Sequence, residues 1–407
     1  MIPLEDAQAR VAASIAPLDP VVVPIGEAAG RILAEAVTAQ APIPPFDNTA
    51  MDGFAVRAAD TAGATETAPV RLPIVATIPA GAIAPRPLEA GEAMRIMTGA
   101  PIPDGADAVV MVELTRADGD EVDVGAEVPV GNHIRPIGDD LPADAVVYEP
   151  GELLTAAHLG VLASVGRATV AVHRRPRVGV FSTGDELVPP GQPLGPGQIH
   201  DSNRYSLLQL VAEAGAEPVD LGLLPDDEEA IEAALRSAIE TPDGAPVDAL
   251  VTSGGVSMGD FDFVKAILQR LGDLNWMQVA IRPAKPLAFG TLLGVPIFGL
   301  PGNPVSSMVS FELFAGPAIR TMLGHREPQR RAQWAIADET FGRRPDGKTH
   351  FVRVVARAES DGALHVRSAG GQGSHQLSAM ARANALAVLD DGSGVQLGGK
   401  VRVLVLR

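Results

Sequence analysis

Apolar residues recur along this chain at changing periods, and the changes divide it into segments. Between residues 4 and 16, Leu4, Ala7, Val11 and Ile15 fall on one helical face, and Ile25 to Ala36 reads as a second short helix before the extended Val37 to Pro45. From Phe46 to about Asn132 the period shortens. Runs such as Phe54-Ala55-Val56, Ile74-Val75-Ala76 and Ala108-Val109-Val110-Met111-Val112 are separated by Gly and Pro clusters, which predicts a small β-domain. A helical pattern returns at Thr155 to Val165, with Thr155 in a capping position. Residues 1–41 and 135–170 are therefore expected to form one discontinuous N-terminal domain, with a β-domain over 42–134 inserted into it.

From Arg177 the pattern is regular. Strand Val178 to Phe181 precedes helix Tyr205 to Ala214, strand Val219 to Leu224 precedes helix Glu228 to Ile239, and strand Ala249 to Thr252 precedes helix Phe263 to Leu271. Met277 to Arg282, Leu287 to Phe289 and Val295 to Leu300 read as further strands before a helix from Val305 to Leu323. Such alternation implies crossover units, a largely parallel sheet and helices on both faces, a three-layer αβα domain over 171–326. Ligands of such domains bind beyond the carboxyl ends of the strands. Alternating runs at Phe351 to Val355, Leu364 to Arg367, Leu386 to Leu389 and Val401 to Leu406 predict a small C-terminal β-barrel or sandwich over 327–407. The fold class is multidomain α/β plus β.

Composition narrows the function. In a chain of 407 residues with 32 basic and 50 acidic residues the formal charge is -18, and aromatics are 4%, so nucleic acid is an unsuitable partner. The absence of cysteine removes disulfides, thiolate metal sites and cysteine nucleophiles. No signal-like start and no apolar run of membrane-spanning length is present, so a soluble cytoplasmic protein with no membrane association is expected. The lysines are Lys265, Lys285, Lys348 and Lys400, and every other basic residue of this set is arginine. A lysine here asks for a reason.

Three strand ends open into unusual loops: Ser182-Thr183-Gly184-Asp185-Glu186, Ser253-Gly254-Gly255-Val256-Ser257-Met258-Gly259-Asp260 and Pro301-Gly302-Asn303-Pro304. Glycines let backbone amides approach an anion, hydroxyls add donors, and a following helix adds its positive end. Each loop has a plainer reading. Thr183 to Glu186 has capping-box spacing, the Gly-Gly pair could be a flexible turn, and Asn303-Pro304 is a cap followed by proline at the first helical position. Capping alone does not ask for Gly-Gly or Pro-Gly at three strand ends of one sheet edge. Carboxylates gather there too: Asp185, Glu186, Asp226, Asp227, Asp260 and Asp262. Beside an anion they call for a hard cation, and all-oxygen ligation favours Mg²⁺, although solvated helix starts explain Asp226 and Asp227 equally well. Lys285, stiffened by Pro283 and Pro286, suggests a phosphate or oxyanion contact, with a solvated loop lysine as the plainer alternative. His200, Asp201 and Asn203 read either as a substrate-facing loop or as the cap of the next helix, and the cap is the favoured reading.

Taken together, Phe46-Asp47-Asn48-Thr49-Ala50-Met51-Asp52-Gly53-Phe54-Ala55-Val56-Arg57, Arg95-Ile96-Met97-Thr98-Gly99-Ala100-Pro101, Phe181 to Glu186, Thr252 to Ser257, Leu300 to Val305 and Gly371-Gln372-Gly373-Ser374-His375 resemble the molybdopterin molybdenumtransferases, the family of bacterial MoeA and the gephyrin E domain. The resemblance implies insertion of molybdenum from molybdate into adenylylated molybdopterin with release of AMP, assisted by Mg²⁺, as the last step of molybdenum cofactor biosynthesis. It implies a homodimer whose clefts are shared between subunits. It marks Asp52, Asp140 and Glu186 as the catalytic carboxylates and Glu186, Asp227 and Asp262 as acids for the metal. Thr98, Lys285, Pro301, Pro304 and Ser374 are implied cleft positions, joined by Ser182, Thr183, Gly184, Ser253, Gly254, Gly255 and Asn303 from the loops above. Two departures stand out: Ala284 where the family commonly has glycine, and Pro136-Ile137 in a stretch often more basic. The alternatives are a molybdopterin adenylyltransferase or pyrophosphatase on the same α/β domain, which leaves Asp52, Thr98 and Ser374 without a role, and a non-catalytic binding scaffold.

Overall fold

The computed structural model describes residues 1–241, 245–254 and 270–406. Gly255 to Asp260 of the second strand-end loop, Asp262 and the expected helix from Phe263, apart from its last two residues, lie outside them.

The α/β domain is built on a six-stranded sheet in the order Glu217–Leu224, Arg177–Thr183, Ala249–Ser253, Val295–Leu300, Pro286–Leu292, Gly272–Gln278. The first four strands are parallel, and the last three are joined antiparallel. Alternation of side chains across a strand explains the two cores. In Ala249–Ser253, Ala249 and Val251 face a core shared with helices Asn203–Glu213 and Pro304–Ser310, whereas Leu250 faces Ile231 and Leu235 of helix Glu228–Ile239. Because the chain passes from Arg177–Thr183 outward to Glu217–Leu224 and then back across to Ala249–Ser253, the strand order reverses between the first and third strands. Such a reversal of strand order is where sheets of this kind leave a crevice outside the carboxyl ends.

Some expected elements take other forms. Ile25 to Ala36 is not a helix. A 3₁₀ turn covers Ile25–Glu27, Gly30 has φ 72°, and Ile32 and Leu33 then bridge to Leu153 and Val172. Two glycines in this short stretch weaken helix formation, and strand pairing with the later segment takes the apolar residues instead. The strand expected from Met277 to Arg282 divides. Gly272–Gln278 closes the central sheet, but Ile281–Arg282 runs parallel to Thr349-His350 in the C-terminal domain, where Thr349 N–H donates to Ala280 O at 2.9 Å. The expected long final helix is Pro304–Ser310, a π-helical turn Phe311–Ala315 and Gly316–Met322 in succession.

Pro20–Pro24 pairs antiparallel with Thr169–His173, and Val37–Thr38 with Val146–Tyr148. Ala28, Leu33 and Val37 share a core with Leu154, Leu162, Val170 and Val172, so chain on both sides of the β-domain closes one body. Helix Leu4–Ala12 instead sends Ala7 and Val11 into the α/β core. The inserted β-domain has a sheet ordered Ala108–Met111, Gly53–Val56, Ala93–Ile96, Val70–Ile78, Glu121–Val124, Thr115–Asp118. At the C-terminus, Thr349–Ala358, Leu364–Ser368, Ala332–Ala337, Lys400–Val405 and Ala385–Leu389 pair in that order, and the last returns to the first to close a barrel. Closure removes the edges that an open sheet of this size would expose.

Candidate active site

The first and third strand-end loops meet the start of the second, Ser253-Gly254. Gly254 has φ 96°, and a Cβ there would lie 3.0 Å from Thr183 O, while one on Gly302 would lie 3.8 Å from the Gly254 Cα. Only glycine adopts that φ without strain and leaves room for so close an approach. Gly254 N–H donates to Leu300 O at 3.2 Å, and the Ser253 hydroxyl donates to Pro301 O at 3.4 Å. The capping-box reading of Thr183 and Glu186 does not hold, because the chain runs on into the short strand Leu187–Val188 rather than a helix. Glu186 folds back over Gly184 and is exposed.

The residues expected to cap the next helix separate. His200 lies in the exposed strand Ile199–His200, paired with Leu187–Val188. Asp201 does serve the helix start, since its Oδ1 accepts Arg204 N–H at 3.2 Å. It also accepts the Ser182 hydroxyl at 3.2 Å, and its other oxygen takes Arg204 Nε at 2.8 Å. Arg204 continues to Asp220 at 2.5 Å. Burial opposes the charge on Arg204, but these two carboxylates outweigh it and raise the guanidinium pKa further. Asn203 caps nothing. Its Nδ2 donates to Ser253 Oγ at 2.7 Å and to Gly302 O at 2.7 Å.

Beside this edge, a cleft of about 520 Å³ opens between the α/β domain and the barrel. Lys285, Pro301, Asn303 and Ser374 line it together, as do Arg282, Lys348 and His375. Val305 N–H donates to Ser374 O at 3.1 Å, which ties the barrel loop to the start of helix Pro304–Ser310. Pro304 stands at the first helical turn, whereas the Asn303 side chain makes no capping bond. Ala284 has φ 78°, the conformation glycine adopts readily, so the backbone before Lys285 keeps a glycine-like turn despite the extra methyl. Among the described residues the Lys285 ammonium has no ion-pair partner. Lys348 was not singled out from the sequence, yet the scarcity of lysine pointed to it, since two of the chain's lysines face this cleft. Arg353, buried at 0% exposure, was hidden inside an apolar alternation; its Nη2 donates to Gly371 O at 2.7 Å and Gly373 O at 3.2 Å, shaping the loop that carries Ser374. Burial lowers its pKa.

The acids do not gather into one group. Burial raises the Asp226 carboxyl pKa, and the neighbouring Asp185 and Glu186 raise it further, against an opposing bond from Asp185 N–H. Asp227 caps helix Glu228–Ile239 through Ala230 N–H at 2.8 Å. Among the described residues no group of three or more His, Asp or Glu side chains is placed to hold a metal ion. Asp52 and Thr98 pair with each other on the β-domain: the Thr98 hydroxyl and backbone N–H both donate to Asp52 Oδ1, at 2.7 and 2.6 Å, and hold its carboxyl below the usual range. Asp140 lies beside Tyr148 and Ile43. Among the described residues no hydrogen bond or ion pair joins Asp52, Thr98 or Asp140 to the three loops.

Comparison with known proteins agrees with this architecture along the whole chain. Residues 2–166 match the MoeA N-terminal region (domain I and II), 179–321 a probable molybdopterin binding domain, and 341–406 the MoeA C-terminal region (domain IV). The chain is 39% identical over 373 residues to a molybdopterin molybdenumtransferase of Haemophilus influenzae, covering 90% of this chain and 89% of that one. The chain belongs to the molybdopterin molybdenumtransferase family. It is likewise 39% identical to a molybdopterin molybdenumtransferase of Bacillus subtilis, over 93% of this chain and 87% of that one. The crystal structure of a molybdopterin biosynthesis MoeA protein from Pyrococcus horikoshii superposes with a TM-score of 0.82 at 30% identity, covering 100% of both chains. As a member of this family the chain is a transferase of molybdenum cofactor biosynthesis, and the multidomain fold expected from its sequence is the one found. Among the described residues no helix is long and apolar enough to cross a membrane.

Proposed function

We infer that this chain inserts molybdenum from molybdate into adenylylated molybdopterin, releasing AMP, as a cytoplasmic enzyme. What carries the reading is the cleft in which Lys285, Pro301 and Asn303 of one domain meet Ser374 and Lys348 of another beside three converging strand-end loops. In a chain of net charge -18 this local excess of cations suits an oxyanion. Opening a phosphoanhydride depends on positioning and charge neutralisation more than on a protein nucleophile, and that is what such loops supply. Mg²⁺ usually takes one or two carboxylates together with substrate phosphates and water. Glu186, beside Asp185 and Asp226, is the group we assign to it, and the metal would neutralise developing phosphate charge. Asp227 is occupied in part as a helix cap. The adenylyltransferase or pyrophosphatase alternative is not favoured, because homology extends over the domains that carry Asp52, Thr98 and Ser374.

That Asp52, Thr98 and Asp140 are not among the residues lining the cleft of their own chain supports a homodimer in which a second copy supplies them. Purified protein incubated with adenylylated molybdopterin, Mg²⁺ and molybdate is expected to release AMP and yield active cofactor. Failure of both sinks the reading, whereas AMP release without metal insertion supports a pyrophosphatase.

A further inference from the structure

The geometry points to Asn203 as the positioning residue that clasps the second and third substrate loops in register for turnover, an inference that rests on the proposed reaction. Its side chain stands at the first residue of helix Asn203–Glu213, where no local task holds it: Ser202 makes no side-chain cap and Asp201 takes the Arg204 N–H. Both amide hydrogens on Nδ2 are spent across the crevice, one on Ser253 Oγ and one on Gly302 O, each at 2.7 Å. The first of these frees the Ser253 hydroxyl proton for Pro301 O at 3.4 Å. A closed chain of donors therefore runs from Asn203 through Ser253 to the third loop, and a second strand of it returns directly from Asn203 to Gly302.

The helix that presents Asn203 is itself anchored. Arg204, the next residue, is 7% exposed and bonds Asp201, which is 1% exposed and accepts the Ser182 hydroxyl of the first loop. Adjacent residues of one helix start thus touch all three loops, Asn203 the second and third, Arg204 the first through Asp201. The chemistry selects asparagine. Aspartate has the same shape but no hydrogen to donate, and its charge would face the Gly302 carbonyl; alanine removes the contact altogether. Since a loop displaced by about 1 Å can lower turnover on the order of a hundredfold, a small slackening here is magnified in rate.

The test uses the full-length chain carrying Asn203→Asp and, separately, Asn203→Ala, with kcat and KM for molybdate and adenylylated molybdopterin measured beside Tm. Both variants are expected to lose about tenfold to a hundredfold in kcat. KM for molybdate should hold, because Lys285 and Ser374 are outside the clasp, and Tm should stay close to that of the parent chain. Backbone hydrogen exchange at Gly254 and Gly302 is followed in parallel and should quicken in both variants. Unchanged kcat with unchanged exchange overturns the clasp, as does a rate loss that merely follows the unfolded fraction. If the parent chain shows no turnover, the proposed reaction fails, and exchange alone then decides whether Asn203 holds the loops. Should Asn203→Ala not fold, the isosteric Asn203→Asp carries the same readouts.

Discussion

Arg204 bonds two carboxylates of very different exposure, and this lets burial and charge pairing be separated experimentally. The Asp201 side chain is 1% exposed and that of Asp220 48% exposed, with the Arg204 side chain at 8%. Replacing Arg204 by Met leaves the Asp201 charge buried with only the Ser182 hydroxyl and the backbone N–H of residue 204 for company. Breaking a buried pair from one side costs about 3–5 kcal/mol, because the stranded charge keeps its desolvation penalty and loses its compensation. Asp220→Asn removes a charge that water already solvates, and a half-exposed pair is worth about 0–1 kcal/mol. Arg204→Met, which cuts both bonds and strands the buried Asp201, should therefore cost several kcal/mol more than Asp220→Asn, which cuts only the exposed one. Trp276 lies in the central sheet and Trp334 on the barrel, so in a Trp334→Phe background tryptophan fluorescence during urea unfolding follows the α/β domain. Near-equal losses for Arg204→Met and Asp220→Asn, or a loss below about 1 kcal/mol for Arg204→Met, would refute the reasoning from burial. Turnover should also fall in Arg204→Met, since Ser182 loses the fixed orientation of its acceptor.

Other tests address the remaining groups. Thr98→Val removes the hydroxyl bond that contributes most to lowering the Asp52 carboxyl, so its pKa should rise and the acid limb of the pH–rate profile move to higher pH; an unmoved limb argues against Asp52 acting as a carboxylate. His365, held between Asp338 at 2.6 Å and Asp361 at 3.0 Å, has its pKa raised to about 9 by those bonds. A raised folded-state pKa stabilises fully below the ordinary histidine value of about 6.5 and is lost as pH rises through the folded value. The Tm advantage of the parent over His365→Gln should accordingly shrink between those two pH values, and a constant difference would show that the ion pairs contribute nothing. Mixing Asp52→Asn with Lys285→Met, each inactive alone, should restore AMP release if clefts are completed by a second copy, while persistent inactivity after subunit exchange would place both residues in one subunit's cleft.

Local pattern determined a good deal of this molecule. The period of apolar residues gave the β-domain strands, helices Leu4–Ala12 and Glu228–Ile239, and the barrel strands, because each buries one face and that face is written into the spacing. Scarcity made Lys285 visible, and the glycines of the strand-end loops announced a close backbone approach that Gly254 makes against Thr183. Where local pattern misled, a distant partner had taken over. Ile32 and Leu33 have apolar spacing that a helix could use, but pairing with Leu153 and Val172 places them in extended chain. Ile281–Arg282 continues a strand in the sequence and yet belongs to the barrel sheet, since Thr349 supplies its partner. Asn203 looked like a cap because Asn before a helix usually is one. That it bonds Ser253 and Gly302 depends on three strands lying side by side in an order no local signal contains. The same holds for Lys348 and Arg353. A residue's type limits which bonds it can make, but which groups lie within reach is decided by tertiary packing, and the cleft is made of those.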